Sequence, residues 1–313
     1  MIGTVTLNPS VDQHLTVPKL VKDDAIRAVE VEWFAGGKGV NVARVIHELG
    51  GKARAFGFAG GFPGRMLTGW LDEAGIPHRF TPVRGDTRIN TTVTDRSDRS
   101  QTHIRVPGPR VNRKELALLA AGLTCCSPAP GFWVLGGSLP PGAPDDFYRR
   151  LIHRLEATGA HCVLDTDDEA LTQGLNATPF MIKPNEHEFY RLTGVPASSD
   201  GRIVAAARKV VARGIAVVLV SLGPRGAVVV SRDDAFRVNT PRVKVRSKVG
   251  AGDSTVAGTL VALERGASLR EAVRYGVAAG TAAVLTEGTG LCDRRQVERI
   301  LPRIKVVSLS EGK

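Results

Sequence analysis

Apolar residues fall into two kinds of run along this chain. Six short stretches are almost continuously apolar: IGTVTL (2–7), ARAFGFA (53–59), FWVLGG (132–137), HCVLD (161–165), FMIK (180–183) and AVVLVSLG (216–223). Runs of this length and continuity suit strands buried on both faces of a parallel sheet. Between them the spacing becomes helical. VNVARVIHELGG puts Val42, Ile46 and Leu49 on one face and stops in Gly50 and Gly51, a helix with its C-terminal signal. Helical spacing also covers 64–75, 112–123, 144–159 and 200–214. The alternation predicts an α/β fold in which helices wrap an open, mostly parallel sheet.

Two segments break this rhythm, QHLTVPKLVKDDAIRAVEVEWF (13–34) and TRINTTVTDRSDRSQTHIRVPG (87–108). Both alternate polar and apolar residues, which marks half-exposed strands, and DRSDRS reads as a polar hairpin tip. The expected organisation is a main domain of residues 1–10, 35–85 and 109–313, with 11–34 and 86–108 forming a small β-sheet lid over a cleft. A lid with one exposed apolar face is also a natural surface for a homodimer.

Charge narrows the class of partner. The 42 Lys and Arg against 31 Asp and Glu give a net charge of +11, but the basic residues are scattered, without a long run or an aromatic-interleaved module. Nucleic acid is therefore not expected, and a diffuse positive field fits an anionic small molecule. Cys125, Cys126, Cys162 and Cys292 show no C-x-x-C spacing, which argues against structural zinc and a disulfide framework. No apolar stretch reaches the ~20 residues that span a bilayer, and MIGTVTLNPS lacks a basic leader; the expected location is the cytoplasm, with no membrane partner.

Candidate chemistry gathers at strand ends and glycine turns. In SKVGAGDSTVAG (247–258) Asp253 follows a glycine turn and opens an apolar helix. Asp253 is then either a helix N-cap or part of an anion cradle in which it handles a proton. AGGKGVNVAR (35–44) is another glycine turn feeding a helix, with Lys38 and Asn41. It is not a Walker loop, because Glu32 stands where the first glycine belongs and Gly39 follows the lysine. Asp12 follows the first strand, where ligands of α/β sheets bind; it suits sugar hydroxyls or an Asx turn. GGSLPPG carries Ser138 on a proline-fixed loop, and SLGPRG closes a hairpin. KPNEHE offers Lys183, Asn185 and Glu188, whose oxygens suit a hydrated Mg²⁺, although Glu188 alone reads as a solvated helix residue. H-E-x-x-H, G-x-S-x-G and a G-x-G-x-x-G after the first strand are all missing, and the seven histidines stand at no metal-ligand spacing.

TLNPSVD, GGKGVNVAR, TRINT, GSLPPG, KPNEHE, SLGPRGA, VGAGDS and GVAAGTAAVL, in this order over essentially the whole chain, resemble the PfkB, or ribokinase-like, carbohydrate kinase family. The likeness is to its phosphofructokinase and tagatose-6-phosphate kinase branch. It implies a ribokinase-like fold and ATP-dependent transfer to a ketohexose phosphate. The sugar would be fructose 6-phosphate, with 1-phosphofructokinase and tagatose-6-phosphate kinase as alternatives, and a non-catalytic sugar-phosphate binder as a more distant one. It further implies that Asp12, Gly37, Lys38, Asn41, Arg88 and Ser138 contact the sugar phosphate, Lys38 and Arg88 holding its existing phosphate. His103 stands about where the family carries a second arginine, and Arg105 lies two residues beyond; the choice between them stays open. Lys183, Asn185, Ser221, Gly223 and Gly226 would line ATP, with Asn185 and Glu188 organising Mg²⁺ through water in the family pattern. Gly250, Ala251 and Gly252 would donate backbone N–H groups to the moving phosphoryl group. Asp253, ionised by the positive helix end, would take the hydroxyl proton. A K⁺ requirement near 247–249 and 283–290 is left open.

Overall fold

The first apolar run forms β1 (Ile2–Thr6), buried along its whole length, in a computed structural model that describes residues 1–286 and 290–309. Each later strand follows: β2 (Ser10–Val17), β3 (Glu30–Gly36), β4 (Ala53–Ala59), β5 (His78–Pro82), β6 (Arg88–Asp95), β7 (Gln101–Ile104), β8 (Phe132–Gly136), β9 (His161–Asp165), β10 (Met181–Ile182), β11 (Val217–Ser221), β12 (Ala227–Ser231), β13 (Ala235–Asn239) and β14 (Lys305–Ser308). The helices are α1 (Lys38–Glu48), α2 (Gly61–Glu73), α3 (Arg113–Thr124), α4 (Phe147–Glu156), α5 (Asp168–Gly174), α6 (Glu186–Thr193), α7 (Asp200–Val211), α8 (Ala251–Glu264), α9 (Leu269–Ala283) and α10 (Arg294–Ile300).

Ten strands build the main sheet in the order β14-β13-β12-β11-β10-β9-β8-β1-β4-β5. From β5 to β11 neighbours run parallel, and β12, β13 and β14 continue antiparallel. The six apolar runs are all strands of the parallel part. β5, β12, β13 and β14 lie outside them. β5 (HRFTP) and β14 (KVVS) are edge strands with half-exposed or exposed positions, so neither needs a continuous apolar run.

Two apolar layers cover the faces of the sheet. Side chains of α3 to α7 form one around Trp133, Tyr148 and Phe189, and those of α1, α2, α8, α9 and α10 form the other around Ile46, Leu49 and Phe236. Val42, Ile46 and Leu49 are all buried, as their spacing predicts. α8 is buried nearly all round and packs closely on α9: a Cβ on Gly276 would lie 2.1 Å from Thr259 Oγ1, and one on Gly280 2.2 Å from Thr255 Oγ1. Among the described residues, no helix is long and apolar enough to cross a membrane.

The alternating segments pair with each other in a separate four-stranded sheet, β3-β2-β6-β7. Register sorts its side chains. Asp12 pairs with Phe34 and Asn90, His14 with Glu32 and Thr92, and Thr92 with His103. These positions share one face, and Val31, Trp33, Ile89 and Ile104 fall on the other, all exposed. DRSDRS turns between β6 and β7, as expected.

Candidate active site

Parallel strands deliver their C-terminal ends to one edge of the main sheet, and the polar face of the lid sheet closes over it. A cavity of about 790 Å³ lies between them. It brings together Asp12, Gly37, Lys38, Asn41, Arg88, Ser138, Lys183, Asn185, Glu188, Ser221, Gly250, Gly252 and Asp253, as well as both His103 and Arg105. Ala251 is the first residue of α8, between two lining glycines. Gly223 and Gly226 lie outside the lining, in the 3₁₀ turn between β11 and β12. Gly226 serves that turn: its φ is +84°, and a Cβ there would meet Val238 O at 1.9 Å.

The N-terminus of α8 is capped differently from the sequence reading. Gly250, at φ +74°, is the N-cap, and no side chain caps this end. Asp253 is therefore not the cap; it sits in the first helical turn, buried, and accepts a hydrogen bond from Asn41 Nδ2 at 2.8 Å. First-turn amides without a capping side chain face an anion readily.

Asp165, at the end of β9, is the main residue the sequence reading missed. It is 2% exposed and bonds Lys38 Nζ at 2.9 Å through Oδ1 and Lys183 Nζ at 3.4 Å through Oδ2. Burial would raise its pKa, but Lys183 and Lys38 hold it below the ordinary carboxylate range. Lys38 is raised in turn, as Asp165 outweighs the burial that would lower it. Asp253 moves the other way from the expectation that a helix end holds it ionised. Burial first, then the charge of Asp165, pushes it up to about 6, against the opposing Asn41 hydrogen bond, Lys38 and Lys183. A signal for Asp165 was present in HCVLD: a carboxylate ending an apolar run lies where α/β sheets bind ligands.

At the lid end, Asp12 Oδ1 accepts from Ser10 Oγ at 2.7 Å and Asn90 Nδ2 at 3.1 Å. Arg88 donates to Asn8 O at 2.9 Å and Val106 O at 3.2 Å. Burial lowers its pKa; Asp12 opposes that and Arg105 adds to it. Asn8 Nδ2 donates to Ser138 Oγ at 3.2 Å. Asn8, Ser10, His14, Asn90, Asp167 and Lys248 also line the cavity and were not singled out from the sequence.

The Asn185–Glu188 spacing is a capping box on α6. Asn185 Oδ1 accepts the His187 and Glu188 amides at 2.9 Å each, and Glu188 Oε2 accepts the Asn185 amide at 2.8 Å. Both lone pairs of the Asn185 carbonyl are thereby used, so it is not a metal donor in this arrangement. Among the described residues, no group of three or more His, Cys, Asp or Glu is placed to hold a metal. The donor set suits a Mg²⁺ that keeps waters and nucleotide oxygens as ligands, with Glu188, buried at the cavity wall, as the protein carboxylate beside it. Part of the expected K⁺ region, residues 287–289, lies outside the described residues.

Comparison with known proteins agrees with this architecture. Residues 2–295 match the pfkB family of carbohydrate kinases. The ATP-dependent 6-phosphofructokinase isozyme 2 of Mycobacterium tuberculosis is 36% identical over 299 residues, 95% of this chain and 88% of that one. The 1-phosphofructokinase of Bacillus subtilis is 33% identical over 309 residues, 99% of this chain and 100% of that one. A crystal structure of phosphofructokinase-2 from Escherichia coli with potassium superimposes with a TM-score of 0.91 at 35% identity, covering 96% and 98% of the two chains. A match over nearly the whole length, on a fold whose strand ends build one cavity, means that the chain belongs to the pfkB family of carbohydrate kinases.

Proposed function

We propose that the protein is an ATP-dependent phosphofructokinase that phosphorylates fructose 6-phosphate to fructose 1,6-bisphosphate. One observation carries this reading. Asp253, hydrogen-bonded to Asn41 at an uncapped helix end, shares a single cavity with Arg88 and Arg105 of the lid. A base and an anion cradle at one end and guanidinium groups at the other suit a substrate that already carries a phosphate. A second reading, 1-phosphofructokinase or tagatose-6-phosphate kinase, draws on Lys38 in GGKG and on the Bacillus subtilis relative.

In the reaction, the sugar hydroxyl oxygen bonds to the γ-phosphorus of ATP as the bond to the β–γ bridging oxygen breaks, its electron pair leaving on ADP. The hydroxyl proton passes to Asp253. A transition state of this kind is loose, so alignment and charge neutralisation supply most of the acceleration. The N-cap amide of Gly250 and the first-turn amides of Ala251 and Gly252 meet the phosphoryl oxygens, Lys183 adjoins them, and Asp12 orients sugar hydroxyls. Mg²⁺, when bound, neutralises charge on the nucleotide phosphates. The potassium in the Escherichia coli structure supports K⁺ as a further ion here. The exposed apolar face of the lid supports a homodimer, and four free thiols support a cytoplasmic location.

ADP release measured with fructose 6-phosphate, fructose 1-phosphate, tagatose 6-phosphate, ribose and adenosine tests the reading. The expected result is turnover on fructose 6-phosphate well above the rest. Turnover on no sugar phosphate overturns it.

A further inference from the structure

The family resemblance pairs Lys38 with Arg88 as joint holders of the substrate phosphate, but the two side chains have different surroundings. Arg88 is anchored to backbone carbonyls of Asn8 and Val106, and its charged neighbours are Asp12 and Arg105. Lys38 bonds Asp165, and the other acidic groups acting on it are Asp253 and Glu188. From Lys38 a continuous path leads to the phosphoryl cradle. Asp165 carries Lys38 on one oxygen and Lys183 on the other, and Lys183 Nζ lies so close to α8 that a Cβ on Gly252 would stand 3.2 Å from it. The Lys38 side chain is 32% exposed and lines the cavity, whereas Asp165 is 2% exposed. Two ammonium groups therefore share one buried carboxylate, and both reach the end of the cavity where Asp253 and Glu188 lie.

We propose that Lys38 and Lys183, spaced by the single carboxylate of Asp165, form a cation pair acting on the phosphoryl group in transfer, and that Lys38 does not hold the substrate's existing phosphate. Asp165 is the positioning residue of the pair. The inference rests on the kinase reading above. Charge develops on the bridging oxygen and the three equatorial oxygens as the hydroxyl oxygen–phosphorus bond forms, the bridging bond breaks toward ADP and the proton moves to Asp253. Ammonium groups fixed before the reaction stabilise that charge without reorganising. Asp165 sets their separation because each oxygen takes one lysine. The charged or polar groups acting on Asp253 are Asn41 and Lys38 from α1, Asp165 from β9 and Lys183 after β10.

Steady-state kinetics of the whole enzyme with ATP and its best sugar phosphate separate the possibilities. Absence of turnover by the wild type defeats the kinase reading, whatever Lys38 does. With turnover in hand, Lys38→Met is expected to lower kcat by about 100-fold or more, the scale of losing one preorganised donor, with the sugar-phosphate KM within about threefold; Lys38→Arg recovers part of it. Arg88→Met is expected to raise that KM more than about tenfold. A Lys38→Met enzyme with kcat preserved and a sugar-phosphate KM raised tenfold or more overturns the proposal. Asp165→Asn is expected to lower kcat similarly and to move the acidic limb of kcat/KM to lower pH, because a negative charge acting on Asp253 is gone. Unchanged kcat and an unmoved limb overturn the positioning role. Should Asp165→Asn fail to fold, the Lys38→Met, Lys183→Met cycle decides: a double variant no slower than the worse single one supports a unit, and additive losses refute it.

Discussion

Asp253→Asn is expected to give an enzyme that is more stable and nearly inactive. The buried carboxylate is raised from 3.8 to about 6, chiefly by burial and then by Asp165. A carboxyl with a raised folded-state pKa contributes stability that is present at low pH and is lost as pH rises through about 6. At pH 7 about nine in ten molecules carry the charge, and a displacement of roughly 2 pH units corresponds to a cost on the order of 3 kcal/mol. An asparagine carries no charge, and its carbonyl can still accept from Asn41 Nδ2. The variant should therefore recover much of that cost, a rise of a few degrees in melting temperature, largest at pH 8, about half as large at pH 5 and vanishing below about pH 4. Its kcat should fall by about 10²- to 10⁴-fold, the usual contribution of a positioned base, with ATP affinity close to wild type. Differential scanning fluorimetry from pH 4 to 8, with the ADP-release assay on the same samples, measures both. The wild type should lose half of kcat/KM near pH 6 and about nine-tenths of it one unit lower. A wild-type limb near pH 4, or an asparagine variant less stable at pH 8, would refute the electrostatic reasoning; kcat within tenfold of wild type would remove Asp253 as the base.

Three further outcomes are expected. Tyr148→Phe removes a buried hydroxyl that donates to Gly136 O at 3.0 Å and Gly137 O at 2.9 Å. It should cost about 1–3 kcal/mol in denaturant unfolding and raise the sugar-phosphate KM, because Ser138 follows directly. Gly226→Ala forces a Cβ onto Val238 O at a positive φ, and its melting temperature should drop by several degrees, the effect of about 1–3 kcal/mol of backbone strain or more. Val31→Glu with Trp33→Ser puts charge and polarity on the exposed face of the lid; sedimentation velocity should show a shift from dimer to monomer.

Much of this fold is legible because burial writes itself into sequence. Strands covered on both faces, such as FWVLG and VVLVS, are built almost wholly of apolar residues, and the lid strands alternate because one face meets a polar cavity. The legibility ends where those constraints relax. HRFTP is an edge strand with partial exposure, and β10 pairs over only two residues, too short for periodicity to register. At the site, glycine turns mark where backbone must approach a ligand, so Gly250 and Gly252 stand out. Asp165 does not, because its function depends on two lysines 127 and 18 positions away in sequence. The same limit explains the Asn185–Glu188 pair: a capping box and a metal pair share one spacing, and only the direction of the Asn185 carbonyl separates them.

All four strands of the small sheet lie within the first 104 residues, while β8 to β14 and eight of the ten described helices come later. As the chain leaves the ribosome, β2 and β6 can pair once Asp95 has emerged, with about two-thirds of the protein still unsynthesised. β1 at that moment has β4 beside it but lacks β8 on its other edge. A nascent chain therefore displays Val31, Trp33, Ile89 and Ile104 before it has a complete core. Neighbouring ribosomes on one message would hold such chains close together, so this face can meet a second copy before either chain is released.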